Sequence, residues 1–521
     1  MDDRRTFNGN KNIKMNVVLI KMKGPITDVA EGANNPFVPT SALGIPDPNR
    51  VEVPISSSSI LELIINESAL EMGVTGTIII DNQFNILESL DLVNNSSNEF
   101  YIRLDIEDVE VNSIGGEANG YNLLAHVRKM NTSSINYNKN IATFKFEEAF
   151  VSLMRHTAVD AVYEVNENAD VIDMANKFNA EYVTKLGKYA TDITVGDHKP
   201  NSKHPMHAVG ASGRGTNMHD AITSMMKESR TDQLKCPYFK FINVNQTDGD
   251  GGTYKIRKLH FAPYITDRHL EFLQAISKGD NTTELDFSDV YLEKFATGPF
   301  ADIFTSDPNI TADNKLERYN TNITSPILLK ESNWGNYQIF DNPSIDPGIQ
   351  SGSINTRKYS EIQKDYIEIE FPGLDINTNT PVLKDKYLKK FEFLPTSLSN
   401  IQDGENSVTH QRNYAYNSIV RPFITINETM SFTSPGSLLR TTNKFIWIER
   451  TSANLSNKDN KKHPLDNIYY TTNITHRFRD GDYYTEVIAS KWFGDTTLEE
   501  INDANPVEYT RPLDLNSPIF D

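Results

Sequence analysis

Hydrophobic and polar positions change period along this chain. Residues 73 to 80, GVTGTIII, alternate so that Val74, Gly76, Ile78 and Ile80 share one face, the signature of a strand with one side buried. Asp81 or Asn82 then caps a short helix, DNQFNILESLDL, that places Phe84, Leu87 and Leu90 on one side. From Glu99, EFYIRLDIEDVEV alternates again, with Phe100, Ile102, Leu104 and Ile106 opposite Tyr101, Arg103, Asp105 and Glu107. The run from Tyr121 follows a turn-rich NSIGGEANG and predicts a strand antiparallel to its predecessor. Residues 1–130 therefore read as one small β domain, with a Pro-rich loop, PFVPTSALGIPDPN, long enough to contact a partner.

The period then becomes helical. Phe146, Ala149, Phe150, Leu153, Met154 and Thr157 form one stripe, and Met218, Ala221, Ile222, Met225 and Met226 form another behind a Thr216/Asn217 cap. A third helix begins at a capping Asn168 and aligns Val171, Ala175 and Phe178. These place a mixed α+β region at 131–235, continued by 275–385, where Asn, Asp, Ser and Pro blur the pattern. The alternation on either side of DGDGG at 248–252 is the strongest hairpin signal. Together 236–274 and 386–495 read as a second β domain, and 496–521 as an extended tail. The fold class is α+β with β dominant.

Composition narrows the function. The chain has 521 residues, enough for several cores, and 70 acidic against 51 basic side chains give a formal charge of −19. That balance excludes a sequence-independent grip on nucleic acid, which needs clustered cations to release counterions. The single cysteine, Cys236, forms no internal disulfide or thiolate metal site and reads as a buried thiol. The N-terminus carries no secretory apolar run and no span reaches membrane length, so the expectation is a protein without signal or membrane segment. The Asn-x-Ser/Thr triplets at Asn66, Asn131, Asn427 and Asn473 follow from an Asn-rich usage and carry no glycosylation argument.

Motifs that would carry chemistry fail on spacing. His198, His204 and His207 match neither a helical pair nor a zinc-finger loop, so no metal is expected. Gly210, Gly213 and Gly215 lack the Lys-Ser/Thr of a phosphate loop, and Ser212 has Arg214 where a nucleophile elbow needs glycine. DGDGG lacks the glutamate that closes a calcium loop. No catalytic residue, cofactor site or metal site is assigned, and the acidic excess is a solvated surface.

The segments that remain are patterns of shape. GVTGTIIIDNQFNILESLDL…SNEFYIRL resembles the first domain of the central baseplate hub proteins of contractile-tailed bacteriophages. The run FTSPGSLLRTTNKFIWIERTS…NIYYTTNITHRFRDGDYYTEVIASKWF, with its Pro435-Gly436 turn and a strand pair around His476 and Tyr484, is similar to that family's second tube-like domain. The resemblance implies two tail-tube-like antiparallel β-barrels flanking the mixed α+β region. It also implies a homotrimer forming a pseudo-sixfold ring, bound by the tail tube protein on one side, the central spike protein on the other and wedge proteins around it. DNA would pass only transiently through the lumen, and Asp105 and Glu107 would look toward solvent or lumen, the alternative being an ordinary outer face. Phe84, Leu87 and Leu90 would then seal the barrel end. The place implied is the virion baseplate, after synthesis in the host bacterial cytoplasm. The alternatives weighed are the hub of a phage-derived contractile injection system and, in a different class, a glycan-cleaving tail enzyme with paired carboxylates. A receptor-binding adhesin fits less well because the chain shows no repeat.

Overall fold

The computed structural model describes residues 4–7, 11–23, 50–82, 98–108, 120–136, 139–156, 158–159, 162–164, 170–178, 194–195, 199–200, 206–208, 216–227, 229–232, 235–247, 253–278, 287–297, 315–316, 319–322, 365–369, 372–375, 380–383, 389–393, 417, 421, 429–450, 467–479 and 481–491. The N-terminal part contributes β1 (Arg4–Phe7), β2 (Lys11–Lys23), β3 (Arg50–Ile55), β4 (Ile60–Ser68), β5 (Thr75–Asp81), β6 (Asn98–Asp108), β7 (Gly120–Asn136) and β8 (Lys139–Glu148), followed by helix α1 (Ala149–His156).

Six of these strand positions form a circuit. β2 pairs with β6, β6 with β7, β7 with β8, β8 with β5 and β5 with β4, all antiparallel. Only Ser56 and a 3-10 turn at Ser57–Ser59 separate β4 from β3, and β3 pairs antiparallel with β2, so the path returns to its start through the chain connection between β3 and β4. The alternation explains the arrangement. Met15, Val17 and Leu19 from β2, Leu63 and Ile65 from β4, Ile78 and Ile80 from β5, Ile102 and Leu104 from β6, Leu123 from β7 and Phe144 from β8 all join one buried cluster. Val74 and Gly76 lie on the same face, as the sequence predicts. Gly76 is there because a Cβ would stand 2.3 Å from the Ile64 carbonyl and 2.3 Å from the Phe146 ring. The helix expected at Asp81 to Leu92, with Phe84, Leu87 and Leu90, lies outside the described residues after Asn82. β8 completes the circuit, which therefore extends beyond the expected boundary at 130 to Glu148.

The middle part contains β9 (Ala158–Val159), β10 (Val162–Glu164), α2 (Val171–Phe178), β11 (Thr194–Val195), β12 (Met206–Ala208), β13 (Thr216–Asn217), α3 (Met218–Lys227), β14 (Pro237–Thr247), β15 (Thr253–Pro263) and α4 (Asp267–Lys278). All five stripe residues of α3 are buried, and Asn217 caps it by accepting the Asp220 N–H at 2.8 Å. In α2 the cap is Asp170, two residues after the expected Asn168. Its carboxylate accepts the Ile172 and Asp173 N–H groups, and Asp173 accepts the Asp170 N–H in return. The sequence reading missed α4, whose N-terminus is a box between Thr266 and His269 and whose Leu270, Phe272, Leu273 and Ile276 are buried.

Where the 236–274 hairpin goes differs from the sequence reading. β14 and β15 pair as the expected hairpin, through Thr247 opposite Thr253, but in a three-stranded sheet with β11. Phe239, Phe241, Leu259 and Phe261 pack with Phe150, Met154, Val171, Ala175 and Met225 in the helical core. The reason is two-sided burial: one face of the hairpin meets the α1–α3 stripes, a preference that alternation alone does not address.

The C-terminal part is drawn from distant segments. It contains β16 (Tyr291–Thr297), β17 (Lys315–Leu316), β18 (Tyr319–Asn322), the short pairs formed by β19 (Asp365–Ile369) with β22 (Lys389–Phe393) and β20 (Pro372–Asp375) with β21 (Thr380–Leu383), then β23 (Thr429–Pro435), β24 (Phe445–Arg450), β25 (Asn467–Arg479) and β26 (Asp482–Lys491). β25 pairs with β24, β24 with β16, and β16 with β17, the last two pairings parallel. β18 follows β17 after two residues and pairs with β23, β23 with β26, and β26 with β25. This second path also closes on itself. The parallel β16 corrects the expectation of a purely antiparallel module, and β16–β18 come from the segment read as part of the mixed middle region. Its core joins Phe295, Met430, Phe432, Ile446, Ile448, Tyr469 and Val487. β4 and β25 pair antiparallel from Ser68 opposite Asn473 to Glu62 opposite Arg479, so both paths belong to one fifteen-stranded mixed sheet.

Candidate functional site

The densest polar chemistry in the described residues lies beside the β4–β25 seam, around the segment Gly436–Lys444 between β23 and β24. Gly436 starts it in close approach: its N–H donates to the Tyr483 carbonyl at 2.9 Å, and a Cβ would fall 2.3 Å from the Tyr483 ring. Asn443 ends it at φ 66°, a left-handed conformation that asparagine tolerates better than most residues. Thr471 of β25 holds that end, donating its hydroxyl to the Thr441 and Lys444 carbonyls and accepting the Asn443 N–H at its own carbonyl.

Side chains from all three parts of the chain meet this segment. Lys240 of β14 donates to the Thr442 hydroxyl and, at 3.2 Å, to Glu67 Oε2 of β4, while Tyr121 of β7 donates to Glu67 Oε1. Lys240 and Glu67 are both buried. Arg440 forms a forked ion pair with Glu293 of β16, its second contact being 3.0 Å, and also donates to the Pro435 carbonyl. Tyr470 donates to the Tyr264 carbonyl at 2.8 Å, and Tyr264 donates to the Ala69 carbonyl at 3.2 Å, so another chain of contacts crosses from β25 to the end of β4. Burial pushes both phenol groups upward, which keeps them as donors.

Two histidines complete the joint. His476 of β25 donates from Nε2 to the Arg440 carbonyl at 3.1 Å and accepts the Tyr483 hydroxyl at Nδ1 at 2.9 Å. His269 of α4 donates from Nε2 to the Asn443 carbonyl at 3.0 Å, and its Nδ1 accepts the Thr266 N–H at 3.1 Å. Burial pulls each imidazole down to about 4; Glu67 acts the other way on His476, and the Asn443 carbonyl on His269. Most donors of the constellation meet acceptors inside the chain, the buried Asn443 side-chain amide excepted. Its chemistry is holding: charges taken out of water specify one arrangement of three parts, because any slip leaves a buried charge without its partner.

The residues singled out by sequence fall elsewhere. His198 and His204 lie outside the described residues, and His207 sits in β12 opposite Tyr163. Among the described residues no group of three His, Cys, Asp or Glu side chains is arranged to hold a metal ion. Gly210, Gly213, Gly215, Ser212, Arg214 and the DGDGG residues also lie outside them. Cys236 is buried, and burial pushes its thiol up to about 12, far from a reactive thiolate. Asp105 and Glu107 occupy the outward face of β6, partly exposed. No described helix is long and apolar enough to cross a membrane. Of the joint, the sequence reading named His476, Pro435 and Gly436 but missed Glu67, Lys240, His269, Glu293 and Arg440. A signal existed for Glu67 and His476, since both interrupt an inward phase, Leu63-Ile65-Glu67 and Ile474-His476-Phe478.

No protein-family model and no curated protein matches the chain. Solved structures do give likenesses. A tail protein from Neisseria meningitidis MC58 aligns over 87% of this chain and 96% of its own at 8% identity and a TM-score of 0.39. The 43 kDa tail protein of prophage MuSo2 from Shewanella oneidensis aligns over 87% and 95% at 9% identity and a TM-score of 0.39. The E. coli c3393 protein, a component of the type VI secretion system, aligns over 83% and 74% at 11% identity and a TM-score of 0.38. With TM-scores below 0.5, these likenesses by themselves assign neither fold nor function.

Proposed function

We propose that this chain is the structural hub of a contractile tail baseplate, carrying two tail-tube-like β-barrels. The observation that carries the reading is the pair of closed six-strand paths fused along β4 and β25. Three copies of a chain with two such units present six similar modules at threefold symmetry, so one ring matches a sixfold tube on one face and a threefold spike on the other. The sequence resemblance at 73–104 and 432–493 falls on these two units. The buried joint suits the role, because a ring that passes strain between tube and spike needs its paired modules fixed relative to one another.

In this reading the first barrel spans β2–β8 and the second combines β16–β18 with β23–β26. The helices α1–α3 with β14 and β15 form the middle domain, and 496–521 is a C-terminal tail. Wedge proteins surround the ring, DNA crosses the lumen in transit, and the acidic balance limits its adhesion. No catalytic residue is assigned. The test is the mass of the purified chain alone and with tail tube and spike proteins. A trimer with six lobes in projection, binding both, is expected; a strict monomer that joins neither overturns the proposal.

A further inference from the structure

Segment 436–444 is held mainly by side chains, and two of its carbonyls are held by imidazoles from different parts of the chain. We propose that it is an acid-released latch: with both rings neutral it ties α4 to the second strand circuit, and proton uptake by His269 and His476 frees it before either circuit opens.

Burial and the backbone donor at His269 Nδ1 favour neutral rings. The Thr266 backbone N–H points at His269 Nδ1, with the Thr266 hydroxyl 2.7 Å away, while Nε2 faces a carbonyl. A proton on Nδ1 would set it against the Thr266 N–H and leave the Thr266 hydroxyl as its acceptor, in a site where the ring is buried from water. For His476 the Tyr483 hydroxyl must reverse to accommodate a proton. The surroundings oppose charge unequally. His269 faces Lys235 and Lys444, the Phe445 ring at 5.1 Å and the Tyr470 ring at 6.1 Å, and Lys235 itself pairs with Asp267. His476 faces Arg440 from the segment, Glu67 from β4, Tyr121 from β7 and Tyr483 from β26, so one carboxylate favours its proton.

Both imidazoles are pulled down to about 4, below the free value of 6.5. The released segment therefore binds more protons than the docked one between these limits. Docking is fully present above about 6.5 and weakens as pH falls toward about 4. The strand circuits rest on continuous backbone ladders, so they open at higher free energy than the segment.

The experiment is hydrogen exchange of the full chain from about pH 7.5 to 4.5, corrected for intrinsic rates. Protection at 436–444 and Thr471 should fall at least tenfold further than at β6 and β7, and His269→Gln combined with His476→Gln should remove the difference. If the double variant fails to fold, the wild-type profile and imidazole NMR still decide. Loss of protection in all strands together, unchanged protection at 436–444, or both imidazoles titrating near 6.5 with the segment docked overturns the latch.

Discussion

The two strand circuits reach the same end by different routes. In the first, all pairings are antiparallel, and four of them join strands consecutive along the chain: β2 with β3, β4 with β5, β6 with β7 and β7 with β8. In the second, Tyr291 faces Phe445 in a parallel pairing and Tyr319 faces Phe432 across a long excursion. The difference teaches that a closed path of strands does not require local connectivity. It requires an apolar interior and one place where two successive strands carry the path onward along the chain: β3 to β4 in the first circuit and β17 to β18 in the second. The second circuit bears a larger loop-closure cost, and its β25 also pairs with β4 of the first.

The strongest way to break this comparison is to hollow each core in turn. Phe144→Ala and Phe295→Ala each remove a fully buried ring and should cost about 3 to 5 kcal/mol. If the seam couples the circuits, calorimetry shows one transition lowered by either change. Two transitions, with only one moved by each variant, would show that they fold apart.

Next in size is the ion pair beside the seam. Lys240→Met alone leaves Glu67 buried without its cation and should cost about 3 kcal/mol or more, whereas Lys240→Met with Glu67→Leu should recover most of that loss. Denaturant melts of both singles and the double complete the cycle. Additive losses would mean that the pair does not couple the parts.

Acid sharpens the contrast, because His269 and His476 face the segment that enters the second circuit. Each imidazole is depressed in the folded chain, so each contributes stability fully present above about pH 6.5 and lost as pH falls to about 4, on the order of 3 kcal/mol per residue. Chemical melts at about pH 7 and 4.5 should therefore differ less for His269→Gln than for the wild type. An equal difference would remove His269 from the titration.

The smallest effect lies in the helical core between the circuits. Asp170→Ala removes the cap of α2 and should cost about 1 kcal/mol. Exchange protection should drop in α2 and hold in β4 and β25; protection lost equally in β25 would mean that the helices are part of the same cooperative unit.

How much was legible follows the same division. The inward faces of β5, β6 and β7 and the stripe of α3 could be read directly, because each element carries its own period and one buried side. The cap of α2 lies two residues later than the sequence predicts, since Asn168 and Asp170 are both good capping residues and only the hydrogen bonds distinguish them. α4 is hard to read because its apolar residues follow a strong hairpin and its N-terminal box pairs Thr266 with His269 in place of an acidic residue. In the joint, Glu67 and His476 broke the phase of their strands, a visible sign of buried polar groups. Lys240 gave no such sign, because a lysine opposite Phe239 and Phe241 reads as an ordinary solvent face.

The sequence by itself determined which residues turn inward and where the period changes from strand to helix. Those properties are local, set by the 2.0 and 3.6 residue repeats and by the reach of a side chain. Only the tertiary structure decided that the 237–263 hairpin serves the helical core, that β16 runs parallel to β24, and that Lys240, Glu67, His269 and His476 converge on one segment. Such choices depend on which of several apolar faces bury one another most completely and leave no buried charge without a partner, a competition settled across the whole chain at once.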